Sequence, residues 1–317
     1  LSFSDLTWVE TTVRELRVVA AHLDDDDITL IADFAEAHLV WRTGFVPDAA
    51  ASLRNQAERA RAGDHEEWLP TILTYAGLAL ADAGDLEGAD RCAAMLSIDR
   101  AATDLAFRRM VVHSVRGQIA YIRGDLAEAL AEVDAMIRLA RSVRDREFLC
   151  YGLQDLAVIT FDSGDVKEAH DLALQARDLA ERSAHAEVLA RCRVLLARVA
   201  ITEGDNSAAG DLIRGVLTTP GVAEDRRTTQ WALLAAAELA VGEGRNDDAI
   251  HLYAATDHQR RQTGVALPAP IQAALAANLA ALRAACGHHR YEAAWGDGWN
   301  TPVSDAVNAV TGAAHSG

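Results

Sequence analysis

Apolar residues in this chain recur at the three- and four-residue steps of an α-helix: Leu153, Leu156 and Ile159 share one helical face, and Leu73 and Leu80 share another. The abundance of Ala and scarcity of aromatics favour helix packing over a sheet, so strands are not expected. Short polar breaks separate these stretches, and they fall at a fixed interval. A glycine opens a new helical segment at Gly44, Gly84, Gly124, Gly164, Gly204 and Gly244, 40 residues apart each time. The segments read GFVPDA, GDLEGA, GDLAEA, GDVKEA, GDNSAA and GRNDDA, so Ala49, Ala89, Ala129, Ala169, Ala209 and Ala249 each stand five residues after the glycine. Seven residues before each glycine stands a second small residue: Ala37, Gly77, Gly117, Ala157, Ala197 and Ala237.

Physical chemistry gives this punctuation a meaning. Glycine after a helix takes the left-handed conformation that stops it, and Asp directly after is a favoured N-cap for the next helix. One dipeptide therefore ends a helix and starts another. Glu128 after Asp125 and Glu168 after Asp165 match the capping-box spacing. The paired small residues predict a close approach of two antiparallel helices. A lone hairpin of this size is unstable, so successive hairpins must stack.

The predicted fold is thus all-α: a right-handed α-solenoid of helix hairpins with a 40-residue period. The small residue, the glycine turn and the alanine at these offsets resemble the tetratricopeptide repeat, elongated from its usual length of about 34 residues. The expected organisation is one superhelical domain over 1–317. Residues 1–23 form an orphan or capping helix, 28–263 about six hairpins, and 268–311 the C-terminal capping helices. Ser4-Asp5 lies where a mid-repeat turn would fall, so the first helix reads as the second half of a hairpin, the form of a fragment cut from a longer protein, or as a cap.

Composition narrows the function classes. Half of the residues are hydrophobic but only 5% are aromatic, which suits close helix packing. The formal net charge of −17 opposes contact with nucleic-acid phosphates, so direct DNA or RNA binding is not expected. Lys167 is the single lysine. Asp5, Glu10, Arg14, Glu15 and Arg17 interrupt the N-terminal stretch, so neither a signal peptide nor a membrane span is expected there, and the predicted location is cytoplasmic. Cys92, Cys150, Cys192 and Cys286 have no paired spacing and read as buried thiols.

No catalytic or metal site is predicted, and no cofactor. Cys286, His288, His289 and Glu292 cluster, but no second pair at zinc spacing accompanies them. Asp24 to Asp27 read as a solvated helix start. No Gly-x-x-x-x-Gly-Lys-Ser/Thr loop exists.

Binding is expected on the concave face lined by the first helix of each hairpin. Positions thirteen, ten, six and three residues before each glycine give the candidates His38, Trp41, Gln118, Tyr121, Tyr151, Gln154, Phe161, Arg191, Arg198, Trp231 and Glu238. Apolar walls with a few polar groups suit a protein, peptide or small-molecule effector. Arg191 and Arg198 are the expected anion anchors, and Arg198 is read as an exposed groove residue.

The last seventy residues carry a more specific pattern. Ala249 to Ala255 with Arg260, Arg261 and Gly264 are followed by Leu282-Arg283 and Gly287, then by Tyr291 to Trp295 with Gly298, and finally by Val303 to Val310. This resembles the end of the tetratricopeptide region in large actinobacterial regulators of the LuxR and AfsR type, the multidomain signal-transducing ATPases known as STAND regulators. The resemblance implies a sensor or interaction arm for protein contacts and signal sensing in a transcriptional regulator, with ATP hydrolysis and DNA contact carried by modules that this sequence does not contain. The alternative is a free-standing adaptor that binds peptides or partner proteins.

Overall fold

A computed structural model describes residues 6–23, 25–62, 65, 67–98, 105–221 and 225–312. Ser4-Asp5, Asp24, Gly63-Asp64 and Asp99-Arg100 lie outside these residues. Sixteen α-helices and no strand occur among the described residues. The chain divides into two compact units, one comprising 1–152 with 263–266 and the other 153–262 with 267–317.

Unit 1 holds α1 (Leu6–Leu23), α2 (Asp26–Arg42), α3 (Val46–Ala62), α4 (Leu69–Asp82), α5 (Leu86–Ile98), α6 (Leu105–Arg123) and α7 (Leu126–Val143). Each of these helices packs on the next. The division falls inside α8 (Arg146–Asp162). Unit 2 holds α9 (Val166–Arg182), α10 (Ala186–Glu203), α11 (Asn206–Leu217), α12 (Arg226–Gly242), α13 (Asn246–Thr263), α14 (Ala269–Cys286), α15 (His288–Trp299) and α16 (Val303–Thr311). There α10 packs on α9, α11 and α12, while α16 lies against α11 and α12. Consecutive helices packed one on the next make this an all-α, solenoid-type array.

All six punctuating glycines have positive φ, from 73° at Gly244 to 96° at Gly44. The helices before them end at Arg42, Asp82, Arg123, Asp162, Glu203 and Gly242. Each turn closes with the same two backbone bonds. At Gly84, for example, the glycine N–H donates to Ala81 O (2.9 Å) and the Asp85 N–H to Leu80 O (2.9 Å). That is the Schellman pattern, which satisfies carbonyls a helix end would otherwise leave unpaired.

The carboxylates of Asp85, Asp125, Asp165 and Asp205 then accept the N–H of Gly88, Glu128, Glu168 and Ala208 at 2.8–3.2 Å. The reciprocal half of the capping box has no donor left at Asp125 and Asp165. Their own N–H groups already bond to Ala120 O and Thr160 O in the Schellman turn.

The small residues do allow close approach. A Cβ on Gly117 would stand 3.0 Å from Val133 across the α6–α7 hairpin, and one on Gly77 3.1 Å from Val115 of α6. In unit 1 residues 263–266 lie along α4. The Ala266 N–H donates to Asp82 O (2.7 Å), Val265 joins the core, and Gly264 packs on Pro47.

Candidate functional site

The sequence-predicted residues divide between the units and are described within each. In unit 1, α2, α4 and α6 bring Trp41 and Gln118 onto one shared acceptor. Trp41 Nε1 donates to Asp82 Oδ2 (2.9 Å) and Gln118 Nε2 to Asp82 Oδ1 (2.5 Å). His38 stands edge-on to Tyr75, with ring centroids 4.9 Å apart, and Phe34 and Trp41 complete an aromatic cluster around them. His38 and Trp41 are buried, so they form the packed base of this row. Tyr121 and Tyr151 are half-buried. Burial pushes the Tyr75 phenol well above its ordinary value, with the Tyr151 phenol and Glu147 adding to the shift and Arg42 opposing it.

In unit 2 the same register recurs. Arg198 Nη1 approaches Asp162 Oδ1 at 3.5 Å, and its Nε donates to Glu238 Oε2 at 3.0 Å. Its guanidinium carbon lies 4.7 Å from the centre of the Phe161 ring. The residue six before one glycine thus meets an Asp two before the preceding glycine in both units: Gln118 with Asp82, and Arg198 with Asp162. Both pairs are 36 residues apart.

Arg198 departs from the expectation of an exposed anion anchor. Its side chain is only 15% exposed and sits between two carboxylates. The cause is the acidic composition itself: a single guanidinium meets Asp162 and Glu238 together and is shared between them. Arg191 pairs with Glu187 one turn back at 2.5 Å. Gln154 is buried, whereas Phe161 and Trp231 are half-buried. Tyr253 of α13 completes the surroundings. Its phenol accepts from Asn278 (2.9 Å) and is pushed up mainly by burial and secondarily by Glu238.

The lane count missed Tyr75, Asp82, Asp162 and Tyr253. Asp82 and Asp162 carried a readable signal, because both stand two residues before a glycine in Ala-Asp-Ala-Gly-Asp and Phe-Asp-Ser-Gly-Asp. Tyr75 lies one position off the lane and Tyr253 on a second helix, so no first-helix count reaches them. At the C-terminal end, Glu292 accepts from Arg283 Nη2 at 2.6 Å, which also stands 3.3 Å from His288 Nδ1. That carboxylate is committed to an ion pair.

No protein-family model and no characterised protein matches the chain. Any functional reading therefore rests on the residues and geometry above. No described helix is long and apolar enough to cross a membrane.

Proposed function

We propose that this chain is a non-catalytic binding domain that recognises a protein, a peptide or a small effector along its rows of first-helix side chains. One observation carries the reading: in each unit, three successive first helices contribute side chains to one polar-aromatic row. These are Trp41, Asp82 and Gln118 in unit 1, and Asp162, Arg198 and Glu238 in unit 2. The carboxylates in these rows are satisfied internally, which holds the helices in register, and the half-buried Tyr121, Tyr151, Phe161 and Trp231 of the same lanes are the proposed contact groups. Aromatic side chains give large contact area at low entropic cost, as expected of recognition surfaces.

The resemblance of the last seventy residues supports reading such a domain as the sensor arm of a bacterial multidomain transcriptional or signalling regulator working in the cytoplasm. The net charge of −17 argues against nucleic acid as the direct partner.

Native mass spectrometry of the chain purified from its own host tests the reading. A bound species should survive gentle ionisation and be lost in the Tyr121→Ala/Tyr151→Ala variant, while the fold remains intact by circular dichroism. The isolated chain should neither hydrolyse ATP nor retard duplex DNA at physiological salt. Hydrolysis that survives stringent purification, or the absence of any bound species that depends on the two tyrosines, would overturn the proposal.

A further inference from the structure

A cavity of about 660 Å³ in unit 2 is lined by none of the row residues. Its walls come from α11, α12, the start of α13, α15 and α16, and its volume lies in the range of small-ligand sites, roughly 300 to 1,000 Å³. Ile213, Leu239, Leu252 and Val310 supply an apolar interior, and Arg214, Arg245 and Arg290 stand on its lining. Three arginines converging on one cavity is notable in a chain whose net charge is −17.

Most of the acidic groups at this rim are already committed. Asp247 accepts from Arg290 Nε at 2.8 and 3.1 Å and from its Nη2 at 2.5 Å, and this arginine holds the Asp247 carboxyl below its ordinary value. Asp248 accepts from Arg245 Nη1 at 2.7 Å, and Glu243 takes that arginine's remaining nitrogens. Arg214 gives one nitrogen, Nη2, to Asp211 at 2.5 Å. Its Nη1 lies beside Gly210, one turn back on α11, where a Cβ would come within 3.1 Å. Among the described residues, Arg290 Nη1 and the other two Arg214 nitrogens have no hydrogen-bond acceptor.

Asp297 also lines the cavity and has no arginine partner among the described residues. It lies seven residues along α15 from Arg290, about 10 Å at helical rise. Anions are therefore disfavoured at the Asp297 end, and the groups able to meet one at the other end are the unfilled nitrogens of Arg214 and Arg290.

We infer that this cavity binds a free amphipathic anion, its single carboxylate or phosphate end held by Arg290 and Arg214 and its apolar body lying on Ile213, Leu239, Leu252 and Val310. Guanidinium groups keep their charge at any working pH and match such oxyanions in geometry. The chain's net negative charge repels an anionic membrane surface, so the occupant is a dissolved molecule rather than a bilayer lipid. This inference does not rest on the function proposed for the rows.

Isothermal titration of the full chain with decanoate, decyl phosphate, decanol and decyltrimethylammonium, all below their micelle concentrations, tests it. Both anions should bind saturably at one per chain, with decanol and the cation at least tenfold weaker. Arg214→Gln/Arg290→Gln should lower decanoate affinity at least tenfold, and Asp297→Asn should leave it equal or tighter. Should the arginine double variant fail to fold, Val310→Trp on the last helix fills the cavity instead and should abolish decanoate binding. Absence of saturable binding, decanol binding as tightly as decanoate, or unchanged affinity in the folded arginine or Val310 variant would each overturn the inference. Flotation of the chain with phosphatidylglycerol vesicles would overturn the dissolved-ligand form of it. The rows are tested separately through Tyr121 and Tyr151 of unit 1, so failure of one proposal leaves the other standing.

Discussion

Among the described residues, two without glycine's freedom adopt the left-handed conformation: Arg144 at φ 59° and Ala184 at φ 55°. Each closes a turn between hairpins with the same Schellman bonds as the glycine turns, through Asp145 N–H to Ala140 O (2.9 Å) and His185 N–H to Ala180 O (2.9 Å). An L-residue in this region costs about 1–2 kcal/mol relative to the right-handed one. Ala184→Gly should therefore raise stability by about 0.5–1 kcal/mol, the strain relief being partly offset by glycine's greater freedom in the unfolded chain. Conversely, Gly164 sits at φ 94° with open space where its Cβ would be, so Gly164→Val should destabilise by more than about 1 kcal/mol through backbone strain alone. Urea unfolding monitored by circular dichroism reads both, and equal midpoints for Ala184→Gly and the parent chain would refute the strain argument. The glycine turns were legible in the sequence because glycine announces positive φ. The turns at Arg144 and Ala184 were not, since tertiary stacking forces that conformation on residues that carry no such signal.

At the scale of helices, periodicity and caps are local properties of neighbouring residues, which is why the helices and their ends could be read from the chain. Partners across helices are less legible. Arg198 was assigned to an open groove because its position in the repeat says which face it occupies, not which side chains the next hairpins bring to it. Its position between Asp162 and Glu238 makes Arg198→Glu a folding variant rather than a binding variant. Three largely enclosed carboxylates would then share one site, and losing the partner of buried charges costs about 3–5 kcal/mol. Arg141→Glu on α7, an exposed position, should cost far less. A thermal melt that leaves the two variants within a degree of each other would refute the clasp.

A second contact between helices turns on Gly298 of α15, where a Cβ would lie 2.3 Å from His251 O and 2.6 Å from its Cα. Backbone cannot yield as a flexible side chain can. Gly298→Ala should thus push α15 away from α13, destabilise unit 2 by about 1–3 kcal/mol and weaken decanoate binding in the neighbouring cavity. Unchanged stability together with unchanged affinity would count against this packing.

Over the whole molecule, the acids that burial perturbs lie far apart in the sequence and respond to pH in the same direction. Burial pushes the thiols of Cys92 and Cys150 up to about 11, and the phenols of Tyr75 and Tyr253 are raised as well. Each of these groups is neutral when protonated, so the folded state holds its proton to higher pH than the unfolded chain does. Between pH 9 and 11 the unfolded chain releases thiol protons that the folded state keeps. The unfolded state then binds fewer protons, and stability falls as pH rises. Below pH 9 both states hold these protons, and the stabilisation is fully present. Carboxylates contribute no opposing slope in this window, since they are ionised in both states. The urea midpoint should therefore decline from pH 9 toward 11, and Cys92→Ala/Cys150→Ala should decline less steeply over the same interval while keeping the tyrosine contribution. Both cysteines belong to unit 1, so limited proteolysis at pH 10 should cut unit 1 of the parent chain faster than unit 1 of the double variant. Identical slopes for the two proteins would show that the thiols ionise alike in the folded and unfolded states, contrary to their burial in the helix array.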